Sequence, residues 1–142
     1  MLQFLFWFAA GLVAALPLLL YAQSKDQHSQ TQLFGCSLII AALVYVGFAL
    51  AWGDNSWLLI EFAGVLMAIA VYRIAIKTSI LWVAAGWLLH PIWDMGLHLY
   101  GPGQHIAPDW YAIACMSFDL AVAGYIVYRA KPPGEHLIAS VW

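Results

Sequence analysis

Histidine and aspartate side chains recur at steps of four in an otherwise apolar run, GWLLHPIWDMGLHLYG. They are His90, Asp94 and His98. Because an α-helix turns through about 100° per residue, these positions drift by only about 80° over eight residues and share one stripe of a helix. Imidazole nitrogens and carboxylate oxygens bind zinc, iron or manganese. The spacing therefore predicts a metal site with these three residues as ligands.

Two arrangements of that site stay open. The two imidazoles are about 12 Å apart along a helix axis, so His90 and His98 share one ion only if the helix bends or their side chains close the gap. Pro91 favours a bend, because it has no N–H for the carbonyl of Trp87. Alternatively, Asp94 orients one histidine and neighbouring helices complete the site.

Two further acids match these residues in depth. Glu61 lies in the second turn of its apolar run, and Asp119 reaches about the depth of His90. An aspartate at the bilayer centre costs about 2.5–3.5 kcal/mol, so such acids must face one another, the histidines, water or an ion. We expect Glu61 or Asp119 to act as the general base or as a further ligand. The alternative is structural: His90, Asp94 and Asp119 join helices by hydrogen bonds.

Composition makes a bilayer the expected solvent. Of 142 residues, 65% are hydrophobic and 8% are charged, against about 45–50% and 25% in ordinary globular proteins. The formal net charge of −2 provides no basic surface, so no nucleic-acid partner is expected. Cys36 and Cys115 are expected to be free thiols near opposite faces of the membrane.

The apolar runs predict an all-α fold with five transmembrane helices in a single domain over residues 1–142. About 20 helical residues cross the hydrocarbon core. The first run lacks the basic start of a signal peptide and is expected to be a span. The predicted spans are 2–21, 33–52, 57–72, 80–100 and 110–128.

Basic residues predict the orientation of these spans. All five follow the first, third or fifth span, at Lys25, Arg73, Lys77, Arg129 and Lys131. Since cytoplasmic loops retain Lys and Arg, the N-terminus is expected outside and the C-terminus in the cytoplasm. The predicted site then lies in the outer half of the membrane.

The run WLLHPIWDMGLHLYG and the later CMSFD resemble motifs of an uncharacterised family of small bacterial inner-membrane proteins. The shared features are Trp87, His90, the Trp-Asp pair ending at Asp94, a histidine before Leu-Tyr-Gly, and a Cys-x-x-x-Asp ending at Asp119. Where that family has two adjacent histidines, this chain has Leu97 and His98. The resemblance implies one site and a multi-pass protein of the bacterial inner membrane, and it implies no reaction.

Three hypotheses for function follow. The first is a metal-dependent enzyme, with zinc as the expected ion, whose metal-bound water attacks a lipid or small amphiphile entering from the outer leaflet. The second is an accessory subunit of a larger membrane complex, which the small size and eight tryptophans favour; a homo-oligomer is also open. The third is a proton or cation transporter. In all three, the lipid bilayer is the expected surrounding.

Overall fold

The computed structural model describes residues 1–52 and 55–130, and its regular elements there are all helical. A five-residue π-helical segment, Met95–Leu99, continues the fourth helix. Lys131, one of the basic residues used to predict the orientation, lies outside the described residues. The five helices are α1 (Leu2–Gln23), α2 (Gln27–Trp52), α3 (Asn55–Lys77), α4 (Leu81–Asp94) and α5 (Asp109–Ala130).

Four of these helices, α1, α2, α3 and α5, are long and apolar enough to cross a membrane. The all-helical prediction is confirmed, and the chain has the character of a membrane protein. Helix α4 has 14 residues, fewer than the roughly 20 that a span requires. Only with the π-helical segment does it approach that length.

Helix α4 lies at the centre of the bundle. Helix α2 packs on α3, α1 packs on α5, and α4 contacts α2, α3 and α5. The indole N–H of Trp87 in α4 donates a hydrogen bond to the carbonyl of Phe34 in α2, at 3.1 Å. The central position of α4 explains why its polar side chains meet groups from several helices. The most deeply buried large apolar side chains of this core are Phe34, Leu38, Val83, Trp87, Val122 and Ile126.

A glycine allows α1 to approach α5 closely. A Cβ on Gly11 would overlap the carbonyl of Ala114 and the hydroxyl of Ser117. Small residues permit such backbone approach between membrane helices, where packing rather than the hydrophobic effect drives association. The contact fixes α5, which carries Asp119.

The turn between α1 and α2 is held by a helix cap. The carboxylate of Asp26 accepts hydrogen bonds from the backbone N–H groups of His28 and Ser29, and from the Ser29 hydroxyl at 2.5 Å. The hydroxyl contact and the backbone contacts lower the pKa of Asp26 below its usual value. This is the arrangement expected where a side chain satisfies the free N–H groups of a helix start.

Helix α4 departs from regular geometry after Asp94 rather than at Pro91. It remains α-helical through Pro91, which lies in its interior. The π-helical hydrogen bonding starts at Met95, and the N–H of Tyr100 donates to the Met95 carbonyl at 2.9 Å. The following loop folds back, since the N–H of Gly103 donates to the Leu97 carbonyl at 2.9 Å. Such π-helical turns are frequent at functional sites.

Candidate metal centre

Three predicted site residues converge between α4 and α5. Nδ1 of His90 lies 2.9 Å from Oδ2 of Asp119 and 3.3 Å from Oδ2 of Asp94. The imidazole N–H donates to Asp119, because an ionised carboxylate can only accept. One ligand atom from each of the three residues lies within 4.8 Å of the others. These three residues, here called the first cluster, could hold a metal ion.

The first cluster contains unsatisfied acceptors. Asp94 is fully buried, and neither of its carboxylate oxygens has a hydrogen-bond partner among the described residues. A buried carboxylate without a partner is costly, and a cation would satisfy it. Two ligands at about 2.0–2.1 Å from a tetrahedral zinc ion lie about 3.3 Å apart. The spacing of His90 and Asp94 matches that value.

His98 belongs to a different pair. Its Nε2 lies 3.3 Å from Oε1 of Glu61, and its Nδ1 donates to the carbonyl of Gly103 at 3.2 Å. His98 is fully buried and Glu61 is 2% exposed. The structure therefore divides the predicted residues between the first cluster and a second pair, Glu61 and His98. It does not place His98 with His90 and Asp94.

Tyr45 connects these two groups, and the sequence analysis missed it. Its ring stacks on His98 with centroids 4.6 Å apart and meets His90 edge-on at 6.0 Å. Its buried hydroxyl has no hydrogen-bond partner among the described residues. Tyrosine in membrane proteins favours the headgroup region, and its hydroxyl normally finds a partner. The position of a tyrosine in the middle of a predicted span was therefore the signal that could have identified Tyr45 as a site residue.

Two apolar cavities reach the site from different sides. The first, of about 760 Å³, lies among α2, α3 and α4 and includes Glu61, His90 and Tyr45 in its wall. The second, of about 510 Å³, lies among α1, α2, α4 and α5 and includes Cys115 and Asp119. The hydrogen bond between His90 and Asp119 consequently joins a residue of one cavity to a residue of the other.

A comparison with protein families matches residues 7–132 to the family described as a family of unknown function, DUF6010. The chain belongs to the DUF6010 family. The expectation of membership in an uncharacterised family is confirmed. The match covers every residue of the first cluster and of the second pair. No curated protein and no solved structure matches this DUF6010 chain.

Proposed function

We propose that this chain is an integral membrane protein that binds a divalent metal ion through His90, Asp94 and Asp119. The observation that carries the proposal is the 4.8 Å cluster of one imidazole and two carboxylates, in which both Asp94 oxygens are buried and unpartnered. Two ionised carboxylates and a neutral His90 together balance the charge of one divalent ion. That balance matters inside a bilayer, where an uncompensated charge is expensive.

In the proposed membrane arrangement, α4 and its π-helical segment form a fifth span, with the N-terminus outside. Lys25 and Arg129 line one small cavity with Ile80, which brings three predicted cytoplasmic ends together, as the positive-inside rule requires. Helical spans and the family resemblance favour a bacterial inner membrane. The test uses a variant without the two native cysteines, expressed in intact cells and treated with a maleimide that cannot cross the membrane. Labelling of Gln104→Cys but not of Ser24→Cys would support this orientation, and the reverse pattern would contradict it.

The ion would supply hydroxide for a hydrolytic reaction, because a bound metal ion lowers the pKa of its water toward neutral pH. The first cavity would hold the apolar part of an amphiphile, since its wall is apolar apart from the side chains at the site. An ester or amide carbonyl would then lie beside His90. The hydroxide oxygen would add to the carbonyl carbon, the bond to the alcohol or amine would break, and the proton of the hydroxide would pass to that leaving group.

Metal analysis of the purified protein tests the ion. After dialysis against zinc and removal of free metal, the wild-type chain should retain at least one zinc per chain. Asp119→Asn should lose one equivalent, because the amide removes the charge while preserving shape. His28→Ala is the matched control: His28 is exposed and contacts Gln32, so its loss should leave the zinc content unchanged. A wild-type content of zero would overturn the proposal.

A cation pathway is a second candidate, because the His90 and Asp119 hydrogen bond lies between two cavities. However, α5 carries no acid, histidine or basic residue between Asp119 and Arg129. Conduction through one chain would therefore lack a continuous series of charged groups. Zinc or proton flux into proteoliposomes above that of Asp119→Asn would favour this candidate, and equal flux would exclude it.

A further inference from the structure

The Glu61 and His98 pair is not explained by the proposed ion of the first cluster. These residues come from α3 and from the π-helical segment, and both are buried. Their nearest atoms, Oε1 and Nε2, are 3.3 Å apart, yet neither atom has a hydrogen-bond partner among the described residues. The two atoms thus face each other at ion-pair distance but without the geometry of a hydrogen bond.

The loop after the π-helical segment determines which nitrogen of His98 is available. Nδ1 faces the carbonyl of Gly103, an obligatory acceptor, so Nδ1 carries a proton. In a neutral imidazole the other nitrogen, Nε2, then has a lone pair. This lone pair faces a carboxylate oxygen of Glu61. Two acceptors at this distance repel each other unless a proton or a cation lies between them.

Charge balance leaves two solutions for this pair. The first cluster balances its own divalent ion, so the charge of Glu61 needs separate compensation. A proton on Nε2 of His98 would compensate it through an ion pair with Oε1, 3.3 Å away. A divalent cation carrying one hydroxide would also compensate it. The separation of the two atoms equals the roughly 3.3 Å between neighbouring ligands of a tetrahedral ion.

Building on the proposed function, we propose that Glu61 and His98 bind a second divalent cation, with water or hydroxide completing its coordination. Glu61 lines the same cavity as His90 and Tyr45, and water ligands would reach the ion from that side. The buried hydroxyl of Tyr45 and the Asp94 oxygen that does not bind the first ion offer hydrogen-bond partners to them. The second ion places a hydroxide on the wall of the cavity, where an amphiphile would be attacked.

Zinc stoichiometry of the full chain in detergent tests the second site. Apo protein prepared with a chelator is titrated with zinc, and bound metal is measured by equilibrium dialysis. We expect two zinc ions for wild type and one for Glu61→Gln, because Glu61 is not among the ligands of the first cluster. His98→Gln should give the same result. His105→Ala is the control, because His105 is exposed in the loop after the π-helical segment, and this variant should bind two zinc ions.

The outcomes separate this inference from the proposed function. One zinc for wild type and one for Glu61→Gln means that the pair shares a proton instead, which overturns the second site and leaves the first. Two zinc ions for both proteins also overturns it. Zero zinc for wild type overturns both proposals. Melting curves in chelator establish that each variant is folded before its stoichiometry is compared.

Discussion

At the residue scale, depth and helical spacing predicted that His90, Asp94 and Asp119 lie close together, although the predicted ligand set had His98 in place of Asp119. His90 and Asp94 are four residues apart and their side chains are 3.3 Å apart. Asp119 was placed at the same depth from the apolar spans alone, and it lies 2.9 Å from His90. Because a charge in hydrocarbon is costly, ionisable residues in membrane spans face the interior of the bundle and pair with one another. Tyr45 carries no charge, so the same reasoning gave no reason to select it.

Tyr45→Phe is expected to weaken zinc binding by about tenfold, the effect of losing a group that supports ligands rather than binding directly. In chelator, the variant should melt close to the wild-type temperature, because the aromatic ring and its packing volume are kept. The aromatic stacking on His98 is retained. Competition titration with a zinc-binding dye measures the affinity.

Tyr125→Phe provides the matched control for that experiment. Its hydroxyl is also buried without a partner among the described residues, but its ring packs on Phe34, away from the site. Zinc affinity should not change. An equal loss of affinity in both variants, or a loss of stability in chelator for Tyr45→Phe alone, would contradict the assigned role of Tyr45.

At the element scale, the sequence predicted a regular helix through His98, whereas the structure has a π-helical segment there. Regular spacing would have kept His98 on the stripe of His90 and Asp94. The wider π-helical turn instead directs it to Glu61. This change depends on the loop that folds back on the helix end, a tertiary contact that local spacing does not encode. Glycine at position 103 makes that contact sterically accessible.

Gly103→Ala is expected to displace this loop. A Cβ there would lie 2.6 Å from Cη2 of Trp57 and 2.9 Å from Nδ1 of His98, and such overpacking costs about 1–3 kcal/mol. We expect a melting temperature several degrees lower and loss of the zinc ion that depends on Glu61. Thermal melts and zinc stoichiometry in detergent measure both effects.

Gly96→Ala is the control, because a Cβ on Gly96 has no atom within 4 Å. This variant should keep both the melting temperature and the zinc content of wild type. If Gly103→Ala behaved like Gly96→Ala, the close packing of the loop on His98 would not be needed for the second pair.

At the scale of the whole molecule, composition predicted the fold class, and the regular elements within residues 1–52 and 55–130 are all helical. Composition did not predict that α4 is central or that α1 packs on α5. Apolar runs of similar length differ little in hydropathy, so pairing among them depends on small-residue contacts such as that of Gly11. The cavities, which arise from this pairing, were equally inaccessible to sequence reasoning.

The first cavity makes a prediction about lipid contact. Gly64 lies in its wall, and a Cβ there would make only ordinary contact with Trp93, at 3.6 Å or more. Gly64→Phe should fill the cavity and reduce cross-linking to a diazirine-labelled phosphatidylcholine in vesicles at least about fivefold, as expected when a site can no longer enclose its ligand. Zinc content should remain that of wild type.

Gly64→Ala is the corresponding control, since its methyl group fits beside Trp93. Its cross-linking yield should stay close to that of wild type. Equal yields for the phenylalanine and alanine variants would mean that the labelled lipid contacts only the outer surface of the bundle.

The most direct test is an anomalous difference map from crystals grown with zinc. The proposal predicts a peak about 2.0–2.2 Å from Nδ1 of His90 and from a carboxylate oxygen of Asp94 and of Asp119, the bond lengths of zinc to such ligands. The proposed metal site would be contradicted if zinc is present in the crystal but the map has no peak among these three side chains. In that case the hydrogen bond from His90 to Asp119 would be intact.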